Sequence, residues 1–213
     1  MKIIPLFPLQ IVLFPGEKLP LHIFEPRYKE MIRHCVANDE PFGLVSFIKN
    51  KVSRIGCLAT VDAISKQYED GKADIICTGH DRFITHSFDS SKAYLQGHIT
   101  KFHDSGETTD ADKQFLKRIL PSFKKLVEIA EFKTGILSDE VPHDSFGFAH
   151  LVGFDLSQKQ NLLEIKTERE RLVYIKMHID RTLPKIKAFE EVRERISRNG
   201  HFRKFPPIDF KTE

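Results

Sequence analysis

The stretch Ile4-Pro5-Leu6-Phe7-Pro8-Leu9, followed by Val12-Leu13-Phe14-Pro15-Gly16 and Leu19-Pro20-Leu21-His22-Ile23-Phe24-Glu25-Pro26-Arg27-Tyr28, carries most of the information in this 213-residue chain. Prolines interrupt an apolar run every few residues. Such a run is expected to form neither a continuous helix nor a central strand, because proline lacks the N–H that both ladders need. Short extended pieces joined by fixed turns are the expectation. The run ends at Glu25-Pro26, where proline suits the first position of a helix.

Behind Pro26, Tyr28, Met31, Ile32, Cys35 and Val36 fall at i, i+3, i+4, i+7 and i+8. That spacing predicts a helix over residues 26–37 with one apolar face, ended by Asn38-Asp39. Pro41-Phe42-Gly43 then leads into a strand, Leu44-Val45-Ser46-Phe47-Ile48. Alternation predicts further strands over residues 56–65, 73–77, 82–88 and 94–102, with Asp70-Gly71 as a hairpin turn. Gly79-His80-Asp81 reads as a turn between two of them, with Asp81-Arg82 held by a local salt bridge.

The pattern changes near residue 105. His103 to Asp110 is polar and turn-rich, as linkers are. A helix is predicted over residues 111–132, with Phe115, Leu116, Ile119, Leu120, Phe123, Leu126, Val127 and Ala130 as its stripe. Pro121 is expected to kink or break it, and Thr134-Gly135 to end it. A short helix is expected within residues 146–154, stopped by Gly153. Ser157-x-x-Gln160 and Thr167-x-x-Glu170 have the form of capping boxes. The second opens the longest predicted helix, residues 168–198, with Pro184 inside and Asn199-Gly200 as its stop. The expected fold is α+β: a small twisted barrel of about six strands over residues 1–104, a helical subdomain over 110–200 with a long last helix, and a tail, 201–213.

The proline-punctuated opening, the Leu13-Phe14-Pro15-Gly16 turn and Leu19-Pro20-Leu21 running into Ile23-Phe24-Glu25-Pro26-Arg27-Tyr28 resemble the start of the amino-terminal, substrate-recognition domain of the Lon protease. Pro41-Phe42-Gly43, Lys159-Gln160-Asn161-Leu162-Leu163-Glu164 and Arg171-Leu172 are similar to the family as well. The likeness covers roughly residues 1–198. It implies a PUA-like pseudo-barrel and a hairpin turn at the Gly-x-x-Arg-Phe stretch, Gly79 to Phe83. It also implies a non-catalytic module that binds unfolded or tagged polypeptide, or a partner protein, through an apolar groove between barrel and helices. Phe14, Leu21, Phe24, Tyr28 and Phe42 are the expected contact residues. An exposed sheet edge is a second route for an extended peptide.

Composition fits such a module. Charged residues make up 30% and the formal net charge is only +3, too little for a protein that coats nucleic acid. The charge is uneven: between Thr167 and Lys204 there are 11 Lys/Arg against 6 Asp/Glu. This basic face and the use of PUA-like barrels on RNA make RNA binding the alternative reading. However, the barrel half lacks the basic and aromatic interleaving that stacks bases.

No G-x-x-x-x-G-K-[ST] or G-x-S-x-G occurs, so neither a phosphate-cradling loop nor a nucleophile elbow is expected. The ten histidines make no H-x-H or H-E-x-x-H, and no metal or other cofactor is expected. Cys35, Cys57 and Cys77 sit among apolar neighbours and read as buried thiols in a reducing compartment. Prolines break the one segment that mimics a signal peptide, and no apolar run reaches the ~20 residues of a membrane span. A cytoplasmic protein is the expectation.

Overall fold

The computed structural model describes residues 1–131, 143–149 and 151–199. Six strands come first, interrupted by one helix: β1 (Lys2–Leu9), β2 (Lys18–Ile23), α1 (Pro26–Asn38), β3 (Phe42–Ile48), β4 (Lys51–Gln67), β5 (Ala73–Asp89) and β6 (Gln96–Lys101). Among the described residues four helices follow: α2 (Asp110–Glu131), α3 (Ser145–Ala149), α4 (Leu156–Glu164) and α5 (Glu168–Asn199). The strand order is β2-β5-β4-β3-β1-β6, and β6 also pairs with β5. The last pairing closes β1, β3, β4, β5 and β6 into a ring, and β2 is an added strand on β5.

β1 corrects one expectation. It lies between β3 and β6 despite Pro5 and Pro8. The reason is a change of partner halfway along. Residues 2–5 pair antiparallel with residues 96–99 of β6, and residues 6–9 pair parallel with residues 43–46 of β3. Each half is therefore locally an edge strand, the setting that tolerates a missing N–H.

The Gly79-His80-Asp81 turn is a second correction. These residues lie inside β5, a single strand of 17 residues. Gly79 is needed for close approach instead. The Phe14–Gly16 turn docks on it, with Gly16 N–H donating to Gly79 O and Gly79 N–H donating to Glu17 O, both at 2.9 Å. A Cβ at Gly79 would stand 2.3 Å from the Phe14 carbonyl oxygen. The hairpin at Asp70-Gly71 is as expected, with Gly71 at φ +77° and Tyr68 N–H bonded to Lys72 O at 2.9 Å.

α1 starts with Pro26 in its first turn and stops at Asp39, which takes the left-handed conformation. Tyr28, Met31, Ile32 and Cys35 are buried beneath it against Phe7, Phe42, Leu44 and Ile75. α2 and α5 both run through their prolines, Pro121 and Pro184, without a break. At ~1.5 Å per residue the 32 residues of α5 extend about 48 Å.

The cap of α4 is Asp155, not Ser157. Its carboxylate accepts from Gln158 N–H at 2.8 Å while Gln158 Oε1 accepts from Asp155 N–H at 2.9 Å. Thr167 caps α5, its hydroxyl accepting from Glu170 N–H at 3.2 Å. The Thr134-Gly135 stop, the Gly200 stop and the tail from residue 201 lie outside the described residues.

Candidate functional site

The five residues expected to touch a ligand are dispersed. Phe14 is buried among the helices, its ring stacked 5.8 Å from that of Phe146 within a core that includes Ile119, Phe123 and Ile175. Tyr28 and Phe42 are buried under α1, where Phe7 lies 4.1 Å from the Tyr28 ring and 6.2 Å from that of Phe42. Leu21 is half-buried against the same core. Of the five, only Phe24 is exposed, at 56%. Burial thus removes Phe14, Tyr28 and Phe42 from any surface a ligand could reach in this conformation.

The junction of strands and helices, where the groove is expected, is bolted by an ionic cluster in which Arg82, Glu168 and Arg171 are buried and Asp104 reaches solvent. Arg171 forks onto Asp104, with Nη1 at 2.9 Å and Nη2 at 2.6 Å, and donates to Glu168 at 2.9 Å and to Ser145 Oγ at 2.8 Å. Glu168 accepts in turn from the Ser145 N–H at 2.8 Å and the Ser145 hydroxyl at 2.6 Å. Arg82, which the sequence placed in a turn with a local salt bridge, is buried in β5. It pairs with Asp104 and donates to the carbonyls of Leu163 at 2.5 Å and Ile165 at 2.7 Å. Asp81 instead pairs with Lys101 at 2.7 Å.

Both guanidinium groups lie against the Phe146 ring. Burial lowers the Arg82 pKa to about 10, which leaves it charged at neutral pH. Burial also opposes the charge of Arg171, but the bonds to Asp104 and Glu168 prevail and its pKa is raised. A second bolt is Gln160, which accepts from the Ser46 hydroxyl at 2.6 Å and donates to Ile55 O at 3.1 Å. This part of the junction is therefore filled by satisfied polar groups and aromatic packing.

A cleft of about 260 Å³ opens elsewhere, between α1 and the β4–β5 hairpin. Its walls are Ile32, Val36 and Ala37 on the helix side and Ile23, Ile64 and Ala73 on the strand side, with Lys29, Arg33 and Gln67 also on the lining. Val36 and Ile64 are apolar yet 46% and 47% exposed. Lys29 Nζ ties the helix to the hairpin by donating to Asp70 O at 2.8 Å. Pairing leaves backbone available nearby. β3 pairs with β4 no further than Ala59, so residues 60–67 of β4 are registered with β5 alone. β2 likewise pairs only with β5. Phe24 directly follows Ile23 of the cleft wall.

Beside the same hairpin, His22 Nδ1 lies 2.5 Å from Asp74 and Tyr68 donates its hydroxyl to that carboxylate at 2.8 Å. These bonds hold Asp74 below the usual carboxylate range. No motif in the sequence marks this trio, because pairing across β2 and β5 assembles it.

The three thiols are free and buried. Burial pushes Cys57 up to about 12 and Cys35 and Cys77 up to about 11. Since the thiolate is the reactive form, the native protein is expected to resist alkylation at pH 8 and to titrate three thiols in denaturant. Stoichiometric labelling within minutes in buffer would contradict this placement. Among the described residues, no group of three or more His, Cys, Asp or Glu side chains could hold a metal ion, and no helix is long and apolar enough to cross a membrane.

Comparison with known proteins gives a consistent result. The family model of the ATP-dependent protease La (LON) substrate-binding domain matches residues 3–181. A Lon protease of Cytophaga hutchinsonii is 23% identical over 219 residues, covering 92% of this chain and 26% of the relative. Protein cereblon of Gallus gallus is 26% identical over 87 residues, covering 38% of this chain and 20% of that protein. The chain thus spans about a quarter or less of the length of these curated relatives. Among solved structures, a Lon N-terminal domain protein from Xanthomonas campestris matches with a TM-score of 0.61 at 18% identity, covering 81% of this chain and 95% of the other. The N-terminal domain of a Mycobacterium avium complex Lon protease matches with a TM-score of 0.62 at 18% identity, covering 84% and 98%.

Proposed function

Because this chain belongs to the family of Lon substrate-binding domains, we propose that it recognises polypeptide lacking stable structure, using the cleft between α1 and the β4–β5 hairpin. The observation that carries the reading is the pair Val36 and Ile64, apolar, about half exposed and set on opposite walls of one cleft. Exposed apolar surface gathered in a concave site is what an unfolded segment can cover. One or two of its apolar side chains would enter the cleft. Its backbone would add to the free edge of β4 at residues 60–67, as extended peptides add to sheet edges. The module would bind without cutting, and cleavage would fall to machinery outside this fold.

The test is binding of a permanently unfolded polypeptide, reduced and carboxymethylated, followed by fluorescence anisotropy. Val36→Asp and Ile64→Asp alter exposed positions and are expected to keep the native circular dichroism. Each is expected to weaken binding about tenfold, the equivalent of about 1.4 kcal/mol, by placing a charge where apolar area is covered. Unchanged affinity in both folded variants would sink the proposal. Single-stranded RNA bound in its place, with affinity falling steeply as salt rises, would favour the alternative reading.

A further inference from the structure

A second pocket, of about 290 Å³, lies between α5 and the first turn of α4 with Phe154 just before it. It shares no lining residue with the α1 cleft. Its wall is aromatic. Phe154 stands between Tyr174, at 5.4 Å between ring centroids, and His178, at 4.4 Å. His178 Nε2 lies 3.0 Å from Val152 O. A carbonyl only accepts, so this nitrogen carries the proton and Nδ1 keeps its lone pair. Burial holds His178 below the usual imidazole range, which disfavours its charged form.

Positive charge comes instead from Arg181 and Lys185, both exposed and both on the lining. They sit at i and i+4 of α5, where like charges destabilise a helix. Neither has an ion-pair partner among the described residues. The nearby acids are already engaged: Asp180 with Lys176 at 2.6 Å, and Asp155 in the cap of α4. Among the described residues, no carboxylate lines the pocket. Gln158, whose Oε1 is taken by the Asp155 N–H, adds amide N–H donors.

An aromatic wall, two cations with no ion-pair partner among the described residues and an amide donor form a receptor for a planar apolar group bearing an anion. The volume is at the low end of ligand pockets, enough for one ring and one acid group. We propose that this pocket binds an aromatic carboxylate, with the ring against Phe154 and Tyr174 and the carboxylate held by Arg181 and Lys185. Such a group is supplied by the C-terminal residue of a polypeptide or by a free aryl acid.

The probes are N-acetylphenylalanine, N-acetylphenylalaninamide, and one peptide ending in phenylalanine with its C-terminus free or amidated, titrated into the 15N-labelled protein. The free acid is expected to shift the backbone resonances of Tyr174, Met177 and Arg181 saturably. Amidation of the ligand and Arg181→Gln are each expected to weaken binding about tenfold, as loss of one charge-assisted contact does. Val36→Asp is expected to leave the shifts that N-acetylphenylalanine causes at Tyr174, Met177 and Arg181 unchanged, which separates this site from the α1 cleft. Binding of the free-acid peptide at least as tightly as N-acetylphenylalanine assigns the site to polypeptide C-termini. Binding of the small acid alone assigns it to free aryl acids. Equal affinity for acid and amide, shifts confined to other residues, or an unaffected Arg181→Gln variant would each overturn the proposal.

Discussion

Arg171→Met is expected to lower stability by about 3–5 kcal/mol, the cost of removing one partner of a buried ionic cluster. For a chain of this size that is a fall in melting temperature of roughly 6–20 °C. The methionine fills much of the space, so the loss is electrostatic. Asp104 keeps Arg82, but Glu168 is left buried with only Ser145 to satisfy it. Adding Glu168→Gln is therefore expected to recover part of the loss, a coupling that thermal melts of the two single variants and the double variant measure. The Arg171–Glu168 pair is shielded from solvent although Asp104 is not, and the deficit should largely persist at high salt. A fall below about 1 kcal/mol would mean that water reaches the cluster and that it behaves as a surface pair.

The second large effect separates two aromatics only ten positions apart. Phe14→Ala is expected to cost about 3–5 kcal/mol, the range for emptying a buried aromatic site. Phe14 is wholly buried and joins the turn after β1 to the helical core through Phe146. Phe24→Ala, at an exposed position, is expected to cost no more than about 0.5 kcal/mol. Urea titrations of the two variants give the comparison directly. Similar losses would show that the Phe14 turn is not anchored among the helices as described.

That contrast explains what the sequence could and could not reveal. α1 was legible because five of its apolar residues recur at helical spacing and Pro26 fixes its start. The β4–β5 hairpin was legible from Asp70-Gly71, and β6 from its alternation. Sidedness was lost in the opening segment, where prolines interrupt the period of two, so Phe14 and Phe24 look equivalent. The partner change within β1 has no local signature, since it depends on where β3 and β6 lie. Gly79 resembles a turn glycine, although its neighbour is a carbonyl 65 positions earlier.

For the cleft, Val36 was marked by helical spacing, but Ile64 was not assignable to a face. Register shifts on both sides of it, between Val61 and Ala63 and between Ile64 and Lys66, scramble the alternation. The ionic cluster was equally hidden. Arg82, Asp104 and Arg171 are separated by 22 and 67 positions and only the closed fold gathers them.

The shared pairing of β1 also bears on how the protein reaches its native state. Lys2 meets Ile99 and Pro5 meets Gln96, so the ring shuts by joining segments more than ninety positions apart. Contacts of such long sequence separation slow folding, because chain entropy is lost before the pairing rewards it. On a ribosome adding ~5–20 residues per second, the first strand waits at least about 5 s for β6 to be synthesised. In that interval its apolar side chains are open to chaperones. A module proposed to bind unstructured polypeptide therefore passes through the condition of its proposed clients.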